Sequence, residues 1–179
     1  MARRKRPMGP VEVVFLVVIV LFGAIGIVRG YQRELGVTTM LLIVLFVLEF
    51  LTNTSFGERI DDLLLGAGMT PSNLKTMWAL VAVGAILLVT FVSYQGLGLV
   101  YPGSGKNNFV SLLVGLINGY LFAGSIWYYL SEANYPFANV EPPFSAFYDF
   151  FVQILPPAIF PWQFFILLAV TMLIIRVLR

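Results

Sequence analysis

The chain has no cysteine and no histidine. Without cysteine there is no disulfide, no thiolate nucleophile and no iron–sulfur cluster; without histidine the commonest metal and haem ligand and the commonest general base are gone. No metal or cofactor is expected of this composition. Charge is scarce too: 11% of the 179 residues are Asp, Glu, Lys or Arg, and the net charge is +2. Apart from RRKR at 3–6 the basic residues are spread along the chain, so no nucleic-acid partner is expected. The glycine-rich GLGLVYPGSGK at 96–106 is no phosphate loop. Val100 stands where G-x-x-x-x-G-K-[ST] needs its first glycine, and Asn107 follows Lys106.

Apolar surface, in contrast, is abundant: 59% of the residues are hydrophobic. That is too much to bury in one soluble core while covering the outside with polar groups, so the composition reads as an integral membrane protein. A chain this long makes one compact bundle of four or five spans with no sizeable soluble domain. The opening MARRKRP and the apolar run behind it superficially resemble a secretory signal. The run is longer than a usual signal core, and its one small-x-small cleavage candidate, Ala24-Ile25-Gly26, would cut into the motif that follows. The segment is therefore read as a retained first span.

As one helix, residues 11–51 would be about 60 Å long, twice the roughly 30 Å hydrocarbon core. The chain must fold back, and the polar RGYQRE at 29–34, with Gly30 in it, is where it can. Spans at 11–28 and 35–51 result. In 52–76, Phe56, Ile60, Leu63 and Leu64 share one helical face and Glu58, Arg59, Asp61 and Asp62 the other, which predicts a short interfacial helix. A third span at 77–94 and a fourth at 109–130 are joined by a turn rich in glycine and polar residues. Residues 131–160 hold Glu132, Glu141 and Asp149 but no Lys or Arg, and their prolines leave 144–155 as one interfacial helix. Pro161 suits a first helical position, Trp162 an interface anchor, and 161–178 a fifth span of about 27 Å. The expected fold is all-α: a polytopic membrane bundle with short interfacial helices.

Lysine and arginine leave the orientation tied. Arg3, Arg4, Lys5, Arg6, Arg59 and Lys75 fall on one side, and Arg29, Arg33, Lys106, Arg176 and Arg179 on the other.

Several residues stand out from the apolar background. Ser111, Gly115, Gly119 and Ala123 recur every four positions in the fourth span, and Gly26 and Gly30 repeat the spacing at the end of the first. Such stripes let helix backbones approach, so these are read as packing positions. Asn118 and Glu49 are the intramembrane polar residues, each a candidate for function or for interhelical hydrogen bonding. Arg29 and Arg33 share a helix face with Glu34 as a local counter-ion. They form either a docking point for an acidic partner or an anionic lipid, or a solvated hairpin end. The aromatics Trp127, Tyr128, Tyr129, Tyr135, Phe137, Phe144, Phe147, Tyr148, Phe150 and Phe151 fit a membrane-interface belt. An intramembrane enzyme would need a carboxylate pair or a serine–lysine arrangement. Glu49 is alone, Lys75 and Lys106 lie in loops, and so no enzyme is expected.

With these residues in view, the chain resembles the colicin V production protein family, small membrane proteins of four spans. IVRGYQRE at 27–34 is similar to that family's R-G-x-x-R-E between spans one and two. SLLVGLING at 111–119 is similar to its G-x-x-x-G-x-x-x-G, and FYDFFVQILPP at 147–157 to its closing amphipathic helix and Leu-Pro. The resemblance divides the chain into a basic tail at 1–10, a family-like membrane domain at 11–157 and an additional C-terminal segment at 158–179. It departs from the family at Asn107-Asn108, where an Asp-Arg pair is usual, at Asn118, often arginine, and at Ser111, usually glycine.

The resemblance implies a bacterial inner-membrane protein whose N-terminus and 131–160 segment face out and whose C-terminus is cytoplasmic. It links the chain to export or envelope homeostasis, and the packing stripe with the absence of catalytic residue types adds the expectation of a non-enzymatic scaffold or accessory role, with lipid and a protein partner or second copy as contacts. A small transporter or channel using Asn118, Glu49 and Ser93-Tyr94-Gln95 is the competing expectation.

Overall fold

The computed structural model describes residues 9–103, 107–136, 140 and 145–178. The RRKR tail, Lys106, Phe137, Glu141, Phe144 and Arg179, on which parts of the reading above fall, lie outside them. Every regular element among the described residues is helical.

Helix α1 (Pro10–Arg29) starts on a proline, whose fixed φ suits a first helical position, and ends at Arg29; α2 (Tyr31–Thr52) begins two residues later. The reversal therefore occupies one residue rather than the six of RGYQRE. Gly30 sits at φ 87° and ψ 150°, where a Cβ is strained, and its N–H closes onto the Gly26 carbonyl at 2.9 Å. Helix α3 (Ser55–Gly66) is the amphipathic segment. It leaves Phe56 and Leu63 exposed and is tied to the bundle by Trp78 Nε1, which donates to Asp61 at 2.8 Å.

Helix α4 (Pro71–Val92) is capped by Thr70, whose hydroxyl accepts from the Asn73 N–H, and it widens at its end into a π turn, Ser93–Leu97. Helix α5 (Asn108–Glu132), capped by Asn107, is the longest at 25 residues. The chain leaves it through Asn134 and Tyr135, both left-handed at φ 56° and 52°. Two short helices, α6 (Ala146–Gln153) and α7 (Pro156–Ile159), precede α8 (Trp162–Leu178).

Helices α1, α2, α4 and α5 are long and apolar enough to cross a membrane. Their outward faces carry Val14, Val20, Leu88, Phe91, Phe109 and Leu113, all exposed. So much contiguous apolar surface suits lipid, as in a multi-pass membrane protein. At 17 residues, about 26 Å, α8 is shorter. It runs antiparallel to α2, from Trp162 beside Phe50 (ring centroids 5.5 Å apart) to Met172 beside Thr39.

Lipid tails give apolar helices no hydrophobic reason to associate, so close packing and interhelical hydrogen bonds must hold the bundle. Helices α1 and α5 pack antiparallel and most closely. Gly26 lies against the backbone of Ser111 and Gly115, Gly115 against Phe22 and Gly23, and Gly119 against Ile19; a Cβ at any of the three would meet backbone. Ala123 continues the seam into a cluster around Phe15, Trp127, Tyr148 and Leu155. Gly30 is not part of it, being the turn.

Helix α2 forms the axis of the main core. Its Leu41 and Leu45 are fully buried with Ile86 of α4, Leu121 of α5, and Phe165 and Ala169 of α8. The aromatic run divides accordingly. Trp127, Tyr129 and Tyr148 are core residues, whereas Phe147 and Phe150 point outward as a belt would. Burial of the first three corrects their assignment to the interface.

Candidate functional site

Because α1 and α2 turn on a single glycine, Arg29 in the last turn of one and Glu34 in the first turn of the other are brought side by side. Arg29 Nη1 lies 3.0 Å from Glu34 Oε1, and the Glu34 side chain is completely buried. Tyr94 donates its hydroxyl to Glu34 Oε2 at 3.0 Å, and Asn118 donates its amide to the same oxygen at 2.9 Å and to the Glu34 carbonyl at 3.0 Å. The Thr38 hydroxyl lies 2.7 Å from Asn118 Oδ1. Arg29 Nη2 donates to the Ser93 carbonyl at 3.2 Å, and its guanidinium lies 4.1 Å from the centre of the Tyr94 ring. Four elements, α1, α2, the π turn and α5, thus meet on one carboxylate.

A buried charge of this kind is tolerable because both oxygens are paired and hydrogen-bonded; removing one partner would leave an uncompensated charge. Glu34 is therefore not a surface for a partner, and the solvated-hairpin reading of it does not hold. Arg29 keeps 17% of its side-chain surface and is mostly internal. Arg33 alone of the motif's charges is exposed, with no hydrogen-bond or ionic partner among the described residues.

The loop behind α4 crosses the same end. Tyr101 donates its N–H to the Gln32 carbonyl at 3.1 Å and places its hydroxyl 2.8 Å from Thr39, while Arg176 Nε donates to the Val100 carbonyl at 3.1 Å. Between the loop and the turn lies a cleft of about 330 Å³ lined by Arg29, Arg33, the π turn and 98–100.

Glu49 lies at the other end of α2, in its last turn, and is 3% exposed. Tyr129 donates to it at 2.7 Å and the Asn53 amide at 2.6 Å. Both donors are neutral, and no cation pairs with it among the described residues. Two clefts open here. One of about 210 Å³ is lined by Asn53, Asp61, Lys75, Trp78, Tyr129 and Glu132; the other, of about 320 Å³, by Glu49, Asn53, Tyr128 and 157–162. Asn118 and Glu49, singled out together in the sequence, are kept apart by the buried leucines at 41, 42, 45 and 48.

A third polar cluster fixes Tyr135 and α6 to the bundle. Ser145 caps α6 and donates to the buried Glu12 of α1, Trp127 Nε1 donates to the Tyr135 hydroxyl at 2.8 Å, and Tyr135 and Tyr148 share a hydrogen bond of 2.6 Å. Burial pushes the Tyr135 phenol above its ordinary pKa, reinforced by the bond to Tyr148.

Among the described residues no three acids or histidines converge as metal ligands would. Sequence reasoning missed Thr38, Tyr94 and Tyr101 as partners of the turn, and Tyr129 and Asn53 as partners of Glu49. A paired threonine inside an apolar run was the available signal for the first. No family model, curated protein or solved structure matches the chain.

Proposed function

We propose that the protein is a non-enzymatic membrane scaffold or accessory protein of the colicin V production type, serving export or envelope homeostasis in a bacterial inner membrane. One observation carries this reading. The charges of RGYQRE that face inward are engaged in interhelical hydrogen bonds around Glu34, which gives them a structural role, while Arg33 stands outside for contact. A motif used this way builds a rigid helical hairpin and presents one cation at its tip.

The resemblance to that family supports an N-terminus outside and, with α8 as a fifth span, a C-terminus inside, where Arg29, Arg33 and Arg176 would meet the anionic cytoplasmic leaflet. The test is the mass and composition of the complex recovered from native membranes through a tag. A foreign chain at fixed stoichiometry, lost on Arg33→Ala with the fold intact, supports an accessory subunit; a foreign chain retained by that variant removes Arg33 from the contact.

A small transporter or channel is the second reading, favoured by Asn118 in the bundle interior and Glu49 on an open cleft. The leucines between them interrupt any polar path. Flux in proteoliposomes that disappeared on Asn118→Leu would replace the scaffold with this alternative.

A further inference from the structure

We propose that the cleft at the Gly30 end binds the phosphate of an anionic phospholipid headgroup. The cleft is built for an anion. Arg33 reaches it from the first turn of α2. Arg29 forms the opposite wall, fixed by Glu34, the Ser93 carbonyl and the Tyr94 ring, so one guanidinium is positioned in advance and the other is free to close.

The remaining wall is the π turn, where Gly96 leaves the backbone open to close approach. The Ser93 hydroxyl is buried there with no hydrogen-bond partner among the described residues, in a π turn of the kind frequent at functional sites. No acid faces the cleft from α1, α2, the π turn or α8; Glu34 lies behind Arg29 and already balances it. An entering phosphate therefore meets the uncompensated charge of Arg33.

The position of the cleft selects a lipid over a free anion. It lies at the end of α1 and the start of α2, at the depth where apolar helix gives way to headgroups. Val28 and Val100, 78% and 52% exposed, flank it where acyl chains would run. A ligand with phosphate and hydrocarbon on adjoining parts matches both features. This site rests on the chain's lying in a membrane and is independent of any protein partner.

The test uses the full-length protein, purified and incubated with equal phosphatidylglycerol and phosphatidylcholine, with bound lipid read by native mass spectrometry. The wild type should retain phosphatidylglycerol preferentially, and Arg33→Gln should lower that retention about tenfold, as expected for one charge-assisted contact. Arg59→Gln, an exposed arginine at the opposite end, should leave it unchanged. Equal losses in the two variants, or no preference in the wild type, would overturn the site. Displacement of the lipid by excess inorganic phosphate would overturn the lipid assignment in favour of a free anion. Because the assay holds only this chain and lipid, it can fail while a partner is still captured from membranes, and the reverse.

Discussion

Glu34 and Glu49 lie on one face-to-face axis, α2, about 22 Å apart along the helix, and both are buried, yet they are held differently. Glu34 has a guanidinium, a phenol and an amide on its two oxygens and no opening beside it. Glu49 has a phenol and an amide, no cation, and a cleft at its side. The first arrangement acts as a clamp, since both oxygens are engaged and each donor comes from a different element. The second is held in place yet remains accessible. Burial alone, then, does not separate a carboxylate sealed by a cation from one held by neutral donors beside a cleft; the identity of the donors does.

The contrast can be broken most forcefully at Glu34. Glu34→Ala should cost about 3–5 kcal/mol, because it leaves Arg29 buried without its counter-ion, and should appear as loss of folded protein in detergent unfolding curves. Gly115→Val comes next. Its side chain would meet the backbone of α1, and about 1–3 kcal/mol of overpacking, with weakened α1–α5 association, is expected from the same assay. Asn118→Leu removes two hydrogen bonds to Glu34 and should cost about 1.5–3 kcal/mol, read as a lower unfolding midpoint. Glu49→Gln keeps an acceptor for Tyr129 and a partner for Asn53, so a change of about 1 kcal/mol or less is expected; a loss comparable to that of Glu34→Ala would erase the distinction between the two ends. Smallest of all, Arg33→Ala should leave stability within about 0.5 kcal/mol, as for any exposed, unpaired side chain, while abolishing contact at the tip.

Much of the bundle was legible because membrane helices announce themselves by length. The four long helices follow from the apolar runs, and the amphipathic α3 from the spacing of Phe56, Ile60 and Leu63 against its acids. The α1–α5 contact was legible in outline, since glycines four apart leave little else to do in a helix; that Gly26 is the partner on α1 also had a signal. What the sequence withheld were contacts between segments distant in the chain. Arg29 and Glu34 read as a solvated tip because six polar residues look like a loop, whereas one glycine at positive φ makes the whole turn and draws the flanking charges inside. Tyr94 and Asn118 reach Glu34 from 60 and 84 residues away, and no local pattern encodes that. The aromatic run misled for a related reason: residues 145–160 fold back over α1, so Trp127 and Tyr148 join a core cluster with Phe15 instead of lying in a belt.

The account stands on the charges of the α1–α2 turn being an internal clamp. The direct measurement is a double-mutant cycle between Arg29 and Glu34, using Arg29→Met and Glu34→Met singly and together, with unfolding free energies taken in one detergent. A buried pair predicts strong coupling, about 1.5–3 kcal/mol, with the double variant more stable than Glu34→Met alone. Additivity within about 0.5 kcal/mol would mean that the two charges do not meet, and would return RGYQRE to a solvated tip.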